Sequence, residues 1–293
     1  MFEGSNVALV TPMDADGAVD FPALDALIEW HIESGTQGLV AVGTTGESAT
    51  LSVDEHVAVI RRVIEVTAGR VPVIAGTGAN ATAEAIALTR AAEAAGADAA
   101  LVVTPYYNKP PQEGLYRHYM AIADAATIPI ILYNVPGRTG CDLAPTTAER
   151  LAAHPRIVAL KEAVGAPERV AELRSRLPAP FVLLSGDDAT SADAMLLGFD
   201  GVISVTANVV PAQMRALCDA ARAGDDAAAR AADAPMAGLH SALFLDPNPI
   251  PVKWALHQMQ RIGPGIRLPL VPMRAAFEAP VKTALADAGA LEN

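Results

Sequence analysis

Short runs of aliphatic and β-branched residues, each closed by a polar or turn residue, recur along the chain. They are Val7 to Thr11, Gly38 to Val42, Val71 to Ala75, Ala100 to Thr104, Pro129 to Tyr133, Ile157 to Lys161, Phe181 to Ser185 and Gly201 to Val205. Successive starts lie between 20 residues apart (Phe181 to Gly201) and 33 apart (Gly38 to Val71). The intervals carry apolar residues at helical spacing, as over Phe21 to Glu33, Val53 to Thr67, Ala83 to Ala95 and Leu115 to Ala126. A strand that is apolar on both faces must be covered on both sides, and strands alternating with helices pair in parallel. Eight such units predict an α/β chain whose residues 1–224 form a closed (β/α)8 TIM barrel. An open, doubly wound sheet is the alternative, but no Gly-x-Gly-x-x-Gly follows the first strand. Residues 225–293 are rich in Ala at helical spacing and are interrupted by Asp246-Pro247-Asn248-Pro249-Ile250-Pro251. That pattern predicts appended C-terminal helices with a proline-rich loop between them.

Composition narrows the function. Hydrophobic residues make up 52% of the chain but aromatics only 4%, so the core is aliphatic and each of the five tyrosines can be weighed singly. With 21 basic and 33 acidic side chains the formal charge is −12, and no Lys/Arg run interrupts it. A nucleic-acid surface needs a basic patch, so no nucleic-acid partner is expected. The start has no basic segment before an apolar one, and no apolar run approaches membrane-spanning length. A cytoplasmic protein without a membrane partner is the expectation. Cys141 and Cys218 stand apart, and no two of the six histidines lie within four residues of each other, so no metal site is expected.

Barrel enzymes keep their chemistry at the C-terminal ends of the strands. Lys161 ends Ile157-Val158-Ala159-Leu160-Lys161, where period-two alternation puts Ile157, Ala159 and Lys161 on one face. If Val158 and Leu160 pack against helices, Lys161 points into the barrel mouth. Desolvation there lowers the ammonium's pKa and frees a neutral amine to form a Schiff base with a carbonyl substrate. From position alone, a strand-end lysine more often snorkels to solvent. Tyr133 ends the preceding strand, on a face it shares with Ile131, and its phenol can shuttle a proton beside Lys161 or simply bond a core carbonyl. Gly43-Thr44-Thr45-Gly46-Glu47 offers main-chain N–H groups and two hydroxyls to an anion. Arg138, in Pro136-Gly137-Arg138-Thr139-Gly140, can hold a second carboxylate or lie on the surface.

Gly43-Thr44-Thr45-Gly46-Glu47, Tyr133-Asn134-Val135-Pro136-Gly137-Arg138-Thr139-Gly140 and Lys161-Glu162-Ala163 together resemble the pyruvate-dependent class I aldolase and lyase superfamily, and within it the dihydrodipicolinate synthase family. The likeness extends over nearly the whole chain. It includes Thr104-Pro105-Tyr106-Tyr107-Asn108, Leu184-Ser185-Gly186-Asp187-Asp188 and Gly201 through Asn208. It implies a lyase of lysine and diaminopimelate biosynthesis that joins pyruvate to aspartate 4-semialdehyde. It also implies that Lys161 forms the imine and that no separate cofactor is needed. Thr44 and Thr45 would hold the pyruvate carboxylate, and Tyr133, Thr44 and Tyr107 would form a proton relay. Tyr107 would reach in from a neighbouring subunit of a homotetramer. Arg138 would bind the second substrate's carboxylate, with Gly186 and Ile203 lining the pyruvate pocket through main-chain atoms. An effector site for L-lysine, subject to feedback inhibition, would comprise Ser48, Ala49, His56, Asn80, Glu84 and Tyr106. His56 and Glu84 read on their own are ordinary solvated helix surface. A lyase acting on N-acetylneuraminate or a 2-keto-3-deoxy sugar acid is the alternative, which Arg138 disfavours. A non-catalytic barrel that binds a keto acid is a third reading.

Overall fold

The structure is a computed structural model and describes residues 1–291. Eight parallel strands close into a barrel in chain order: β1 (Gly4–Ala8), β2 (Gly38–Ala41), β3 (Val73–Gly76), β4 (Ala99–Val103), β5 (Ile130–Asn134), β6 (Ile157–Glu162), β7 (Val182–Ser185) and β8 (Gly201–Ser204). The ring is completed by β1 against β8, with Asn6 opposite Ile203. Residues two apart share a face, and the two faces meet different surroundings. Ala8, Val40, Ile74, Leu101, Ile131, Ala159 and Leu184 fill the barrel. Val7, Leu39, Val73, Val102, Leu132, Leu160 and Leu183 pack outward on the helices.

Helices form at Phe21–Glu33 and Val53–Thr67, as the spacing predicts. The second opens with a capping box in which the Ser52 hydroxyl accepts from Glu55 N–H at 3.3 Å and the Glu55 carboxylate accepts from Ser52 N–H at 2.9 Å. After the last strand, Pro211–Arg222 lies against β1, and Gly224 turns the chain with φ +74 into the helix Asp226–Asp233. Ala237–Ala242, Ile250–Gln258 and Glu278–Asp287 follow.

Two features depart from the periodicity. β1 begins at Gly4 rather than Val7, because Ser5 and Asn6 are buried in spite of their polarity. The Asn6 side-chain N–H groups donate to Phe2 O at 2.8 Å and to Val202 O at 3.0 Å inside the barrel floor, while its Oδ1 is buried without a partner. The second departure is a β-bulge where β5 meets β6, at Ile130 and Ile131. It flips the start of β6: Ile157 packs among the helices and Val158 against the interior, the reverse of simple alternation. The alternation is regular again from Ala159, so Lys161 faces inward. Among the described residues, no helix is long and apolar enough to cross a membrane.

Candidate active site

Lys161 and Tyr133 are register partners at the mouths of β6 and β5. The lysine amine sits over the tyrosine ring, 4.3 Å from its centroid. Both side chains are buried, with Lys161 6% exposed. Burial lowers the Lys161 ammonium from its ordinary 10.5 to about 8, and the Arg138 guanidinium pushes the same way while the Asp188 carboxylate opposes it. Burial also raises the Tyr133 phenol to about 12, against the pull of Arg138 and the Thr44 hydroxyl. The lysine thus gives up its proton far more readily than an exposed one, and the phenol keeps its proton to give. Gly186 completes the lysine's wall: a Cβ there would lie 2.8 Å from Lys161 Cε.

The loop after β2 leaves the sheet at Val42, whose φ is +47. It folds back on itself through Glu47 N–H to Thr44 O at 3.1 Å and Ser48 N–H to Gly43 O at 3.4 Å. Glu47, also left-handed at φ +57, pairs with Lys253 in the interior, both charges being almost wholly shielded from solvent. Asn248 donates to the Thr45 hydroxyl at 2.9 Å. The appended helices therefore brace this loop from above. Arg138 lies in the short helix Pro136–Thr139, its guanidinium donating to Asn248 O at 3.4 Å.

A cavity of about 170 Å³ joins these parts, lined among others by Thr44, Thr45, Tyr133, Arg138, Lys161 and Gly186. Ile203 is not on its wall. It is 1% exposed and packs inside the barrel, while Val205, just past the end of β8, borders the cavity. Tyr107 also stands outside it within a single chain. Its side chain is 89% exposed and its backbone is left-handed at φ +75, a strained setting for a tyrosine, held by Tyr107 N–H to Thr139 O at 3.2 Å.

A second cavity, about 300 Å³, adjoins the first through Thr44 and Arg138. Ser48, Ala49, His56, Glu84 and Tyr106 all line it. His56 is buried rather than solvated; its Nε2–H donates to Gly76 O at 2.8 Å, and burial lowers its pKa. Asn80 lies beside this group, its carbonyl accepting from the Asn108 side chain at 2.8 Å.

Sequence reading assigned no role to Asp188, Asn248, Glu47 or Lys253. Asp188 is buried and accepts from Val205 N–H at 2.9 Å and Thr206 N–H at 2.8 Å, which leaves a fixed negative charge to offset the lysine. Its place in Ser185-Gly186-Asp187-Asp188, at the end of a strand, was a usable signal. Nothing local to Asn248 or Lys253 points 200 residues back to the Thr45 loop. No group of three or more His, Cys, Asp or Glu side chains suited to a metal occurs among the described residues.

A desolvated lysine beside a phenol, in the mouth of a closed barrel with main-chain amides and an arginine nearby, defines a Schiff-base enzyme of the class I aldolase and lyase type. The chain belongs to the dihydrodipicolinate synthetase family, whose profile matches residues 1–288. It is 60% identical over 291 residues to the 4-hydroxy-tetrahydrodipicolinate synthase of Methylococcus capsulatus, a match covering 99% of this chain and 100% of the relative. The Acinetobacter baumannii dihydrodipicolinate synthase, solved in complex with pyruvate, superposes with a TM-score of 0.98 at 55% identity, over 99% of this chain and 100% of that one. The synthase of Cyanidioschyzon merolae, solved with lysine bound, superposes with a TM-score of 0.95 at 40% identity, over 99% of both chains.

Proposed function

We infer that this lyase condenses pyruvate with L-aspartate 4-semialdehyde to 4-hydroxy-tetrahydrodipicolinate, through an imine on Lys161. The observation that carries the reading is the Lys161 amine over the Tyr133 ring in a cavity that Thr44, Thr45 and Arg138 share. The neutral amine attacks C2 of pyruvate, and the carbinolamine loses water to give the imine. Tyr133 supplies the proton that the departing hydroxyl needs, with Thr44 as the next hydroxyl outward. Loss of a C3 proton gives the enamine, whose C3 forms the new carbon–carbon bond to the aldehyde carbon. The amino group of the second substrate then adds to C2 and displaces Lys161, closing the ring. Arg138 suits the second substrate's carboxylate, and the amides of Thr44 and Thr45 suit that of pyruvate.

Tyr107 fits as the third hydroxyl of the relay, contributed across an interface by a second copy of the chain within a homotetramer. Its exposure and strained backbone favour that role. The second cavity fits L-lysine as an effector: Glu84 suits its ammonium groups, and Tyr106 and Asn80 suit its carboxylate.

Borohydride reduction in the presence of pyruvate tests the reading directly. The expected outcome is added mass on the peptide containing Lys161, together with turnover of pyruvate plus aspartate 4-semialdehyde that free lysine suppresses. An unmodified Lys161 peptide rejects the imine, and faster turnover of N-acetylneuraminate or a 2-keto-3-deoxy sugar acid rejects the substrate.

A further inference from the structure

Each of the two strand tips that carry Tyr133 and Lys161 ends one residue later in a buried polar side chain. Those residues, Asn134 and Glu162, are register partners in their turn, and they point to the opposite face of the barrel wall. The Glu162 side chain has no solvent exposure. Its two oxygens accept from the Asn134 amide at 3.0 and 3.1 Å, from Val164 N–H at 2.9 Å and from Arg169 Nε at 3.0 Å. The knot extends to the loop that bears Arg138. Asn134 also donates to Asp142 at 2.7 Å and accepts from Leu143 N–H at 2.9 Å, while Arg169 donates to Asp142 at 2.8 Å and to Leu143 O at 2.6 Å. Asp142 and Leu143 are where that loop returns to the barrel. One buried carboxylate thus ties together the tip with the phenol, the tip with the amine, and the root of the arginine loop.

We propose that Glu162 is a positioning residue for the condensation, acting from behind the barrel wall to hold the Lys161 amine, the Tyr133 phenol and the Arg138 loop in one mutual geometry. The inference rests on the Schiff-base reading above. A carboxylate buried at such expense of hydration is costly unless all its acceptor sites are used, and here they are. An apolar pair would hold two strands together as well, but it would not fix direction: the hydrogen bonds specify the register at the one level of the barrel where two reacting groups stand side by side. The charge has a second effect. The charged groups around the phenol are Lys161, Arg138 and Glu162, and the negative charge of Glu162 works to keep the Tyr133 proton in place.

Glu162→Gln and Arg169→Lys, made in the full chain, separate positioning from mere scaffolding. Wild-type protein is first trapped with pyruvate and borohydride; absence of label on Lys161 there rejects the Schiff-base reading itself. With wild type labelled, Glu162→Gln is expected to label to the same final extent but to form the imine on the order of 10²-fold more slowly, the loss typical of an ångström's misplacement. The alkaline, tyrosine limb of its pH profile moves to lower pH, and the acid, lysine limb stays. A purely structural role moves the melting temperature and neither the rate nor the limb. Folded Glu162→Gln with wild-type imine kinetics and an unmoved alkaline limb overturns the proposal. Should that variant fail to fold, Arg169→Lys decides: lysine keeps the charge at this partly buried position but loses the Nε contact to Glu162 and the forked contacts to Asp142. A slower imine step is expected, and a wild-type rate overturns the proposal.

Discussion

Replacing Lys161 by methionine should make the protein more stable, and the gain should depend on pH. Burial holds the folded-state ammonium near 8 where an exposed lysine has 10.5. The difference of 2.5 corresponds to about 3 kcal/mol at ~1.4 kcal/mol per tenfold in proton affinity. Because the folded value lies below the unfolded one, the unfolded chain binds more protons between pH 8 and 10.5, and stability rises with pH across that window. The full cost of the buried charge is therefore present below about pH 8 and gone above about pH 10.5. Methionine keeps the unbranched apolar stem and removes the charge. At roughly 2 °C per kcal/mol for a chain of this size, the variant should melt about 6 °C above wild type at pH 7, and the two should converge toward pH 10.5. The same displacement serves chemistry. At pH 7 about one Lys161 in ten is neutral, against roughly three in 10⁴ for an exposed lysine, so imine formation gains about 300-fold in active amine. Calorimetry of both proteins from pH 6 to 10, with stopped-flow imine formation on wild type, checks both halves. A variant no more stable than wild type at pH 7, or an imine rate that climbs to pH 10 without bending near 8, would refute the desolvated-lysine account.

Four further outcomes follow from the geometry. Tyr133→Phe should lower kcat by about 10²- to 10⁴-fold with little change in pyruvate KM, read from steady-state kinetics at fixed pH. Gly186→Ala places a methyl 2.8 Å from Lys161 Cε, so the amine must shift and imine trapping should slow on the order of 10²-fold. Lys253→Met strands the Glu47 carboxylate and should cost about 3–5 kcal/mol in urea denaturation, most of which Glu47→Leu in the same chain should restore. Arg138→Met should raise the KM for aspartate 4-semialdehyde. It should also move the lysine limb of imine formation to higher pH, since the guanidinium helps hold that ammonium's pKa down.

The barrel was legible because parallel strands buried on both faces must be apolar throughout, and β2 through β8 all carry that mark. Lys161 and Tyr133 were legible for a related reason: a charged or phenolic residue at the end of such a strand stands out against it. Alternation was a sound guide from Ala159 to Lys161 and failed at Ile157 and Val158, where a bulge with no hydrophobic signature reverses the faces. Ser5 and Asn6 hid the start of β1, since both are polar yet buried, with the Asn6 N–H groups bonded to the carbonyls of Phe2 and Val202. Thr45 to Asn248 spans 203 residues, and Glu47 to Lys253 spans 206. Such pairs come together through closure of the whole fold.

The bracing of the Thr44–Thr45 loop by Asn248 and Lys253 has a consequence for the order in which the protein becomes competent. Both residues leave the ribosome after all eight strands. A nascent barrel can close and bring Lys161 beside Tyr133 while the loop meant for the carboxylate still lacks its supports. The lysine's environment and the anion site thus mature at separate moments of synthesis. Stalled chains ending before Asn248 are expected to carry a sequestered amine with little grip on a keto acid, which keeps a nucleophile in an unfinished polypeptide from capturing carbonyl metabolites.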